Sequence, residues 1–355
     1  MCRKKDPRDA FLRSIVCILL IFPTAMIASS SQQAFEIDKF FKESARLDSR
    51  QIDSIHRGKP VATSLDSDDP NQVFIFGAIY INAAPESYLA LANDFDALRK
   101  LPGYLAVQKF SNPPRVSDLA AFKIDADDFK ELKNCKPADC EVQLPSQSME
   151  EFRKSVNWNS SDAATQANRL AKEMTVEAIL AYQKGGNEAL GIYRDKEHPT
   201  RVSETFENIV RRMKALPVYL PQLSRLLLEY PVDLPNAQSD FYWENVDFGL
   251  RPTFRVVQQL TYRGGNPAGS AYAVALKQLY ANHYFQTALD LTVCVKDTAR
   301  PGEHGFYLIT MKASQQDGLT GFKGSIVRSL AVSKTRSALE TTLTAIKKKL
   351  EAKPR

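Results

Sequence analysis

The clearest pattern along the chain is a two-residue alternation of apolar and polar positions that begins near residue 240. It predicts five β-strands, at residues 241–248, 253–263, 270–281, 284–296 and 305–314. Turn-forming residues separate these segments, as in the glycine-, asparagine- and proline-rich stretch 264–269. Because short turns join consecutive strands, the pattern favours an antiparallel sheet.

The preceding part of the chain predicts one more strand and several helices. Residues 72–81 are apolar on both faces, which is typical of a covered, central strand. A helix follows from Pro85, whereas residues 104–147 show no regular pattern. Only helical periodicities run through residues 149–231, and Gly185 and Gly186 end one of these helices.

The chain closes with an amphipathic helix predicted over residues 337–351. Ser337 and Glu340 fit a capping box near its start. Its apolar stripe consists of Leu339, Leu343, Ile346 and Leu350. The fold class predicted from these elements is α+β: an antiparallel β-sheet gripping a long C-terminal helix, with a helical block at about 149–235 inserted before the sheet.

Residues 1–30 have the layout of a secretory signal peptide. Basic residues precede an apolar run over residues 15–27, and small residues follow it. A membrane-spanning helix needs about 20 apolar residues, so a cleaved signal is favoured over a permanent anchor. We therefore expect export to the periplasm or the extracellular space, with an uncleaved N-terminal anchor as the alternative. Residues 31–70 are interpreted as an N-terminal extension, and residues 71–355 as the main domain.

Export changes the interpretation of the cysteines. Cys135 and Cys140 form a close pair with a proline between them, and an oxidising compartment favours a disulfide. Alternatively, the two cysteines could supply half of the ligands of a metal site, but the sequence has no second Cys/His pair at ligand spacing. We therefore expect neither a metal nor a cofactor. Cys294 lies in an apolar strand pattern, so it is interpreted as a buried free thiol.

Composition and charge exclude several classes of protein. The chain has 355 residues, 44% of them hydrophobic, which supports a sizeable core and excludes a mostly disordered chain. Its formal net charge is +6, and residues 1–30 supply +3 of this from five Lys/Arg against two Asp. The remainder is too weakly basic for a nucleic-acid-binding protein. Nucleophile-elbow, HExxH and phosphate-loop motifs do not occur.

Two segments resemble the START and Bet v 1-like superfamily of helix-grip proteins. In residues 79–88 a strand runs into an Ala-Ala-Pro-Glu turn, which resembles the first strand and helix start of such domains. Residues 318–350 resemble their ending, with a glycine-rich turn, a basic-apolar stretch and a long helix. The resemblance covers residues 72–105 and 240–352, and the helical block departs from it. Alternatively, the chain could belong to a separate family of exported bacterial proteins, which would imply no activity.

The resemblance implies a binding or transfer protein for an apolar, lipid-like ligand held between the sheet and the last helix. Apolar walls supply affinity in such a cavity, and a few polar groups fix orientation. The candidate ligand-binding residues are Tyr242, Tyr272, Tyr280, His283, Tyr284, Asp290 and Tyr307. The alternative that these rings fill a core remains open, as does a local turn role for His283.

Two other function classes also remain open. One is a hydrolase or cyclase that uses His283 and Asp290, and the other is an envelope interaction protein with a filled core. The expected partner is an apolar small molecule or lipid, without nucleic acid and without an identifiable protein partner. Residues 347–349 are interpreted as a solvated lysine face, with a peripheral contact to anionic headgroups as the lesser alternative.

Four aspartates cluster in the irregular region. They lack the glycine and the downstream glutamate of an EF-hand loop, so helix caps and a solvated face are predicted rather than a calcium site. The four residues are Asp118, Asp125, Asp127 and Asp128.

Overall fold

An eight-stranded antiparallel sheet organises the protein. The computed structural model describes residues 36–100, 103–247, 251–264, 271–297 and 305–352. The strands are β1 (Val61–Leu65), β2 (Gln72–Ile81), β3 (Tyr104–Lys109), β4 (Ile192–Tyr193), β5 (Thr200–Arg201), β6 (Ala237–Asp247), β7 (Pro252–Gly264), β8 (Ala271–Ala281), β9 (Phe285–Lys296) and β10 (Phe306–Gln316). The sheet order is β1-β2-β10-β9-β8-β7-β6-β3, and β4 pairs with β5 alone.

Helices precede the five C-terminal strands and follow them. They are α1 (Ile37–Glu43), α2 (Ser49–His56), α3 (Glu86–Ala92), α4 (Phe95–Leu98), α5 (Ala126–Asn134), α6 (Ser146–Ser155), α7 (Ala163–Gly185), α8 (Val202–Arg212), α9 (Leu216–Tyr219), α10 (Pro221–Glu229) and α11 (Gly321–Glu351). Within the described ranges, none of them is long and apolar enough to cross a membrane. The predicted signal peptide lies outside the described residues.

The predicted fold class is confirmed. The protein is α+β, with a large antiparallel sheet, a long C-terminal helix packed on it, and helices before the five-strand meander. The five predicted strands correspond to β6 to β10 in order. Every residue of β2 is buried, and this strand pairs with β10 on one side and β1 on the other. The apolar pattern of residues 72–81 therefore correctly indicated a covered strand.

Several short elements were not predicted. In the segment 104–147, expected to be irregular, β3 forms an edge strand paired with β6, and α5 begins at Ala126. Val107 is the one buried residue of β3, so this strand shows only a weak alternation of buried and exposed positions. The hairpin of β4 and β5 interrupts the helical block, but its two-residue strands are too short to show a period. Residues 61–65, predicted as part of an extension, form the other edge strand.

The last helix begins sixteen residues earlier than predicted, at Gly321. Ser337 and Glu340 therefore lie inside the helix, and the predicted capping box is wrong. The Glu340 carboxylate instead accepts a hydrogen bond from the Ala62 backbone N–H at 3.2 Å, which ties α11 to β1.

The two faces of the sheet are covered by different helices. On one side, the α11 face, Leu339 and Leu343 pack over β2, and a Cβ at Gly77 would lie only 2.6 Å from a Leu339 methyl carbon. On the other side, the helical face, helices α1, α2, α7, α8 and α10 bury the alternate strand residues. Since neighbouring residues of a strand point to opposite faces, each strand serves two separate cores.

Candidate functional site

Two cavities lie on the helical face of the sheet. Cavity A, of about 670 Å³, lies between α5, α6, α7 and strands β6 to β8. Its apolar walls include Met174, Ala178, Ile179, Phe254, Val256 and Leu279. Cavity B, of about 780 Å³, lies between α1, α8, α9 and strands β2, β8, β9 and β10. Its apolar floor includes Phe74, Phe76, Leu291, Val293, Ile309 and Met311.

The position of both cavities differs from the sequence-based expectation of a cavity beneath the last helix. On β9, Val293 borders cavity B, whereas the adjacent Cys294 packs in the α11 core. Leu343 of α11 is fully buried against β2. The long helix therefore packs closely over β2, and cavities A and B lie on the opposite face of the sheet.

A buried polar network forms one end of cavity A. Asp128 of α5 is 3% exposed and borders the cavity together with Asn282. One carboxylate oxygen of Asp128 lies 2.9 Å from His283 Nε2, and the other accepts from the Asn282 amide at 2.8 Å. The Arg251 guanidinium is 3.6 Å from the first oxygen. A buried carboxylate requires such partners, because desolvation otherwise penalises its charge.

Both ring nitrogens of His283 face acceptor atoms of the protein. Its Nδ1 lies 3.2 Å from the Glu141 carbonyl oxygen, and its Nε2 faces the Asp128 carboxylate. A carbonyl oxygen and a carboxylate are both hydrogen-bond acceptors, so each ring nitrogen faces a protein group and the ring is held between Asp128 and Glu141. Neither ring nitrogen is left to contact a ligand.

The Cys135–Cys140 loop connects the two partners of His283. The two sulfur atoms lie at disulfide-bonding distance, with Cα atoms 4.7 Å apart, as the predicted disulfide requires. The loop begins where α5 ends and leads directly to Glu141, whose carbonyl oxygen accepts from His283. The loop therefore fixes the Glu141 carbonyl relative to α5. Cys294 is a buried free thiol, and burial raises its pKa.

Three of the four clustered aspartates cap backbone N–H groups or form surface pairs, and the fourth belongs to the buried polar network. Asp118 accepts from the N–H groups of Ser111 and Arg115, Asp125 caps α5, and Asp127 pairs with Lys130, as capping and solvation predict. Asp128 does not follow that prediction, because it is buried. It precedes buried Leu132 by four residues and so lies on the same face of α5. The four-residue spacing between Asp128 and Leu132 is the sequence signal that could have indicated that Asp128 is buried.

The structure does not bring His283 and Asp290 together. Asp290 pairs with Lys312, its cross-strand neighbour on β10. The adjacent Leu289 and Leu291 belong to the helical-face core, so Asp290 points to the α11 face, away from cavity A. The sequence identified His283 as a residue of interest but paired it with the wrong carboxylate.

The five candidate tyrosines are also spread over the molecule. Tyr280 borders cavity A and donates to the Gln143 carbonyl at 2.9 Å. Tyr284 is near the network, where its hydroxyl accepts from the Arg251 N–H at 2.9 Å. The others make different contacts: Tyr242 packs on Phe95, Tyr272 donates to Glu86, and Tyr307 hydrogen-bonds to His56.

Lys277 is a buried lysine that the sequence analysis did not single out. Its side chain is fully buried beneath the helices, and its Nζ lies 4.0 Å from the Phe206 ring centroid. It donates to the Tyr182 hydroxyl at 3.0 Å and to the Asn187 side-chain oxygen. Burial lowers its pKa well below the ordinary value. Lys277 follows Ala273 and Ala275 at a spacing of two residues, so the strand pattern places all three on the same, inward face. That pattern could have indicated a buried lysine.

Replacing Lys277 by Met is expected to raise the free energy of unfolding at neutral pH by about 1–2 kcal/mol, since Met fills a similar volume without a buried amine. The pKa of Lys277 is lowered in the folded state, so the unfolded state binds more protons between that pKa and 10.5. Wild-type stability should therefore rise with pH in this range, and the variant should show a smaller rise. Urea unfolding across pH measures both.

The exposed Lys184, at the end of α7, provides the matched control for that experiment. Lys184→Met should keep the wild-type dependence of stability on pH. A Lys277→Met protein that is less stable than wild type and keeps the same pH dependence would contradict the assignment of Lys277 as a desolvated amine.

Cavity A differs from cavity B in its polar groups. Two ion pairs border cavity B, Arg46 with Asp66 and Arg212 with Asp68, and both are at the surface. Cavity A instead has buried polar groups in its wall. Besides Asp128 and Asn282, the side-chain oxygen of Asn245 is buried there and has no hydrogen-bond partner among the described residues. A ligand or water hydroxyl can satisfy such an acceptor.

The comparisons with known proteins assign no family. No family model matches the sequence, and no curated protein matches it. Across the described ranges, three or more His, Cys, Asp or Glu side chains do not gather as a group that could hold a metal ion.

Proposed function

We propose that the protein binds an apolar, lipid-like small molecule in cavity A. The observation that carries this proposal is a cavity of about 670 Å³ with apolar walls and a buried polar network at one end. Ligand sites of this kind usually have volumes of about 300–1,000 Å³, with few polar groups that set orientation. The described residues that form the floor of cavity B are apolar and include no buried polar network, so cavity A is the better supported site.

The buried polar groups suggest how the ligand is oriented. Asn245 borders the cavity with a buried side-chain oxygen that has no partner among the described residues, and we propose that a hydroxyl or N–H donor of the ligand reaches it. Arg194 and Arg201 border the same cavity and are exposed, so an anionic or polar end can lie at the opening. The apolar body would then lie against Met174, Phe254 and other walls of the cavity.

The geometry supports binding better than catalysis. A general base must present a free nitrogen or oxygen to the substrate, and both nitrogens of His283 are engaged by Asp128 and Glu141. The second group of the enzyme alternative, Asp290, points to the other face of the sheet. We therefore propose that the network positions the wall of the cavity and orients the ligand.

We further propose that this binding takes place after export, in the periplasm or the extracellular space. The signal-like pattern of residues 1–30 supports export. The Cys135–Cys140 pair supports an oxidising compartment. A carrier for an apolar molecule in such a compartment would hold its cargo away from water, which is the role of a binding or transfer protein.

A bulky side chain placed in cavity A is expected to weaken ligand binding. Ala178 borders the cavity, and its side chain is exposed, so Ala178→Trp places a ring in open space rather than in a packed core. A dansyl-labelled undecanoic acid, followed by its fluorescence, is the probe. We expect its dissociation constant to rise at least about ten-fold in the variant, a loss of about 1.4 kcal/mol of binding free energy.

Ala181→Trp is the matched control, because Ala181 is an exposed residue of the same helix. This variant should bind the probe as wild type does. Equal affinity in Ala178→Trp and wild type, or equal weakening by both substitutions, would contradict cavity A as the binding site.

A further inference from the structure

The outward side of the first half of α11 is apolar. Four large side chains there are exposed: Phe322 by 84%, Ile326 by 56%, Val327 by 52% and Leu330 by 55%. We call these four residues the α11 patch. Phe322, Ile326 and Leu330 recur every four residues, so they line one side of the helix. Exposed apolar side chains grouped in this way mark an interaction surface.

The opposite side of the same helix is fixed to the sheet. Leu339 and Leu343 are buried against β2, and the Arg328 guanidinium donates to the carbonyl oxygens of Pro70 and Gln72, at 2.5 and 2.8 Å. At 100° per residue, Leu330 points about 180° away from Leu339. The α11 patch therefore cannot turn inward without releasing the helix from the sheet.

The segment of α11 that carries the α11 patch has charge of one sign. Residues 321–339 contain Lys323, Arg328, Lys334 and Arg336 and no Asp or Glu. Lys323 and Lys334 are exposed and fall on the outward side, next to Leu330 in the helical projection. An apolar stripe flanked by lysines is typical of a helix that lies in the interface of an anionic membrane.

We propose that the α11 patch docks the protein on an anionic lipid surface, with its apolar side chains among the acyl chains and Lys323 and Lys334 at the headgroups. A second copy of the chain fits this surface poorly. A two-fold interface would place the same cationic side of α11 against itself, whereas anionic headgroups neutralise it. The proposal does not depend on a ligand in cavity A.

Vesicle co-sedimentation of the protein tests this proposal. We expect binding to vesicles that contain phosphatidylglycerol and at least about ten-fold weaker binding to pure phosphatidylcholine, with a loss on addition of salt. Combining Phe322→Ser, Ile326→Ser and Leu330→Ser should abolish the binding. Lys323→Gln with Lys334→Gln should weaken it several-fold. All five positions are exposed, so the variants should fold as wild type does, which circular dichroism checks.

The control removes equal charge from the other end of the helix, through Lys348→Gln with Lys349→Gln. Both lysines are exposed and lie outside the α11 patch, so this variant should bind vesicles as wild type does. The proposal is overturned if the patch variants bind as wild type does, or if the control weakens binding as much as the Lys323 and Lys334 changes. It is also overturned if vesicles do not bind and the serine variant instead dissociates a dimer or loses a protein partner.

Discussion

Replacing Leu343 by Asp is expected to unfold the domain or to bring it close to unfolding. Leu343 is fully buried between α11 and β2, and one of its methyl carbons lies 3.1 Å from where a Cβ of Gly77 would be. An aspartate there would bury a carboxylate in an apolar core and would remove the packing of the leucine. We expect a loss of about 4–5 kcal/mol, a large part of the stability of a typical domain.

Leu330→Asp provides the matched control, because Leu330 is on the same helix but 55% exposed. Its free energy of unfolding should change by less than about 0.5 kcal/mol. Urea unfolding followed by circular dichroism compares the two variants with wild type. Equal stability of Leu343→Asp and Leu330→Asp would show that α11 does not pack on the sheet as described.

Replacing Asp128 by Ala is expected to destabilise the fold by about 3–5 kcal/mol, because it leaves two buried polar groups, the His283 ring and the Asn282 amide, without their shared partner. The substitution also changes the wall of cavity A, so affinity for the dansyl probe should fall in the protein that remains folded. Denaturant unfolding measures the first effect, and fluorescence titration below the unfolding transition measures the second.

The neighbouring Asp127 offers a control that differs mainly in burial. Asp127 pairs with Lys130 on the exposed side of α5, so Asp127→Ala should leave stability and probe affinity unchanged within error. If Asp128→Ala and Asp127→Ala behaved alike, the buried network would contribute nothing measurable, and its assigned role at the end of cavity A would be wrong.

The sheet could be predicted from the sequence because its strands are long and strongly patterned. The strands β2 and β6 to β10 have ten or more residues each, which is enough for a period of two to be recognised. The edge strands β1 and β3 have five and six residues, and few of these are buried. The start of α11 was missed because its first apolar stripe, which contains Leu330, lies about 180° from the stripe of Leu339 and Leu343, so that one apolar face does not run through the whole helix.

The candidate site was harder to predict because its contacts are non-local. His283 and Asp128 are 155 residues apart, and nothing in the local pattern of either residue identifies the other. Asp290 was chosen as the partner because it is close in sequence, yet strand alternation sends it to the other face of the sheet. The START-like assignment and the seven ligand-binding residues as a set stay predictions.

Organic extraction of the purified protein followed by mass spectrometry tests most directly whether cavity A holds an apolar ligand. We expect one class of apolar molecule, in near-stoichiometric amount, from wild type and from Ala181→Trp. The same extraction of Ala178→Trp should recover little of it, because the introduced ring occupies the site. Recovery of no apolar molecule from wild type, or of equal amounts from both tryptophan variants, would contradict the account.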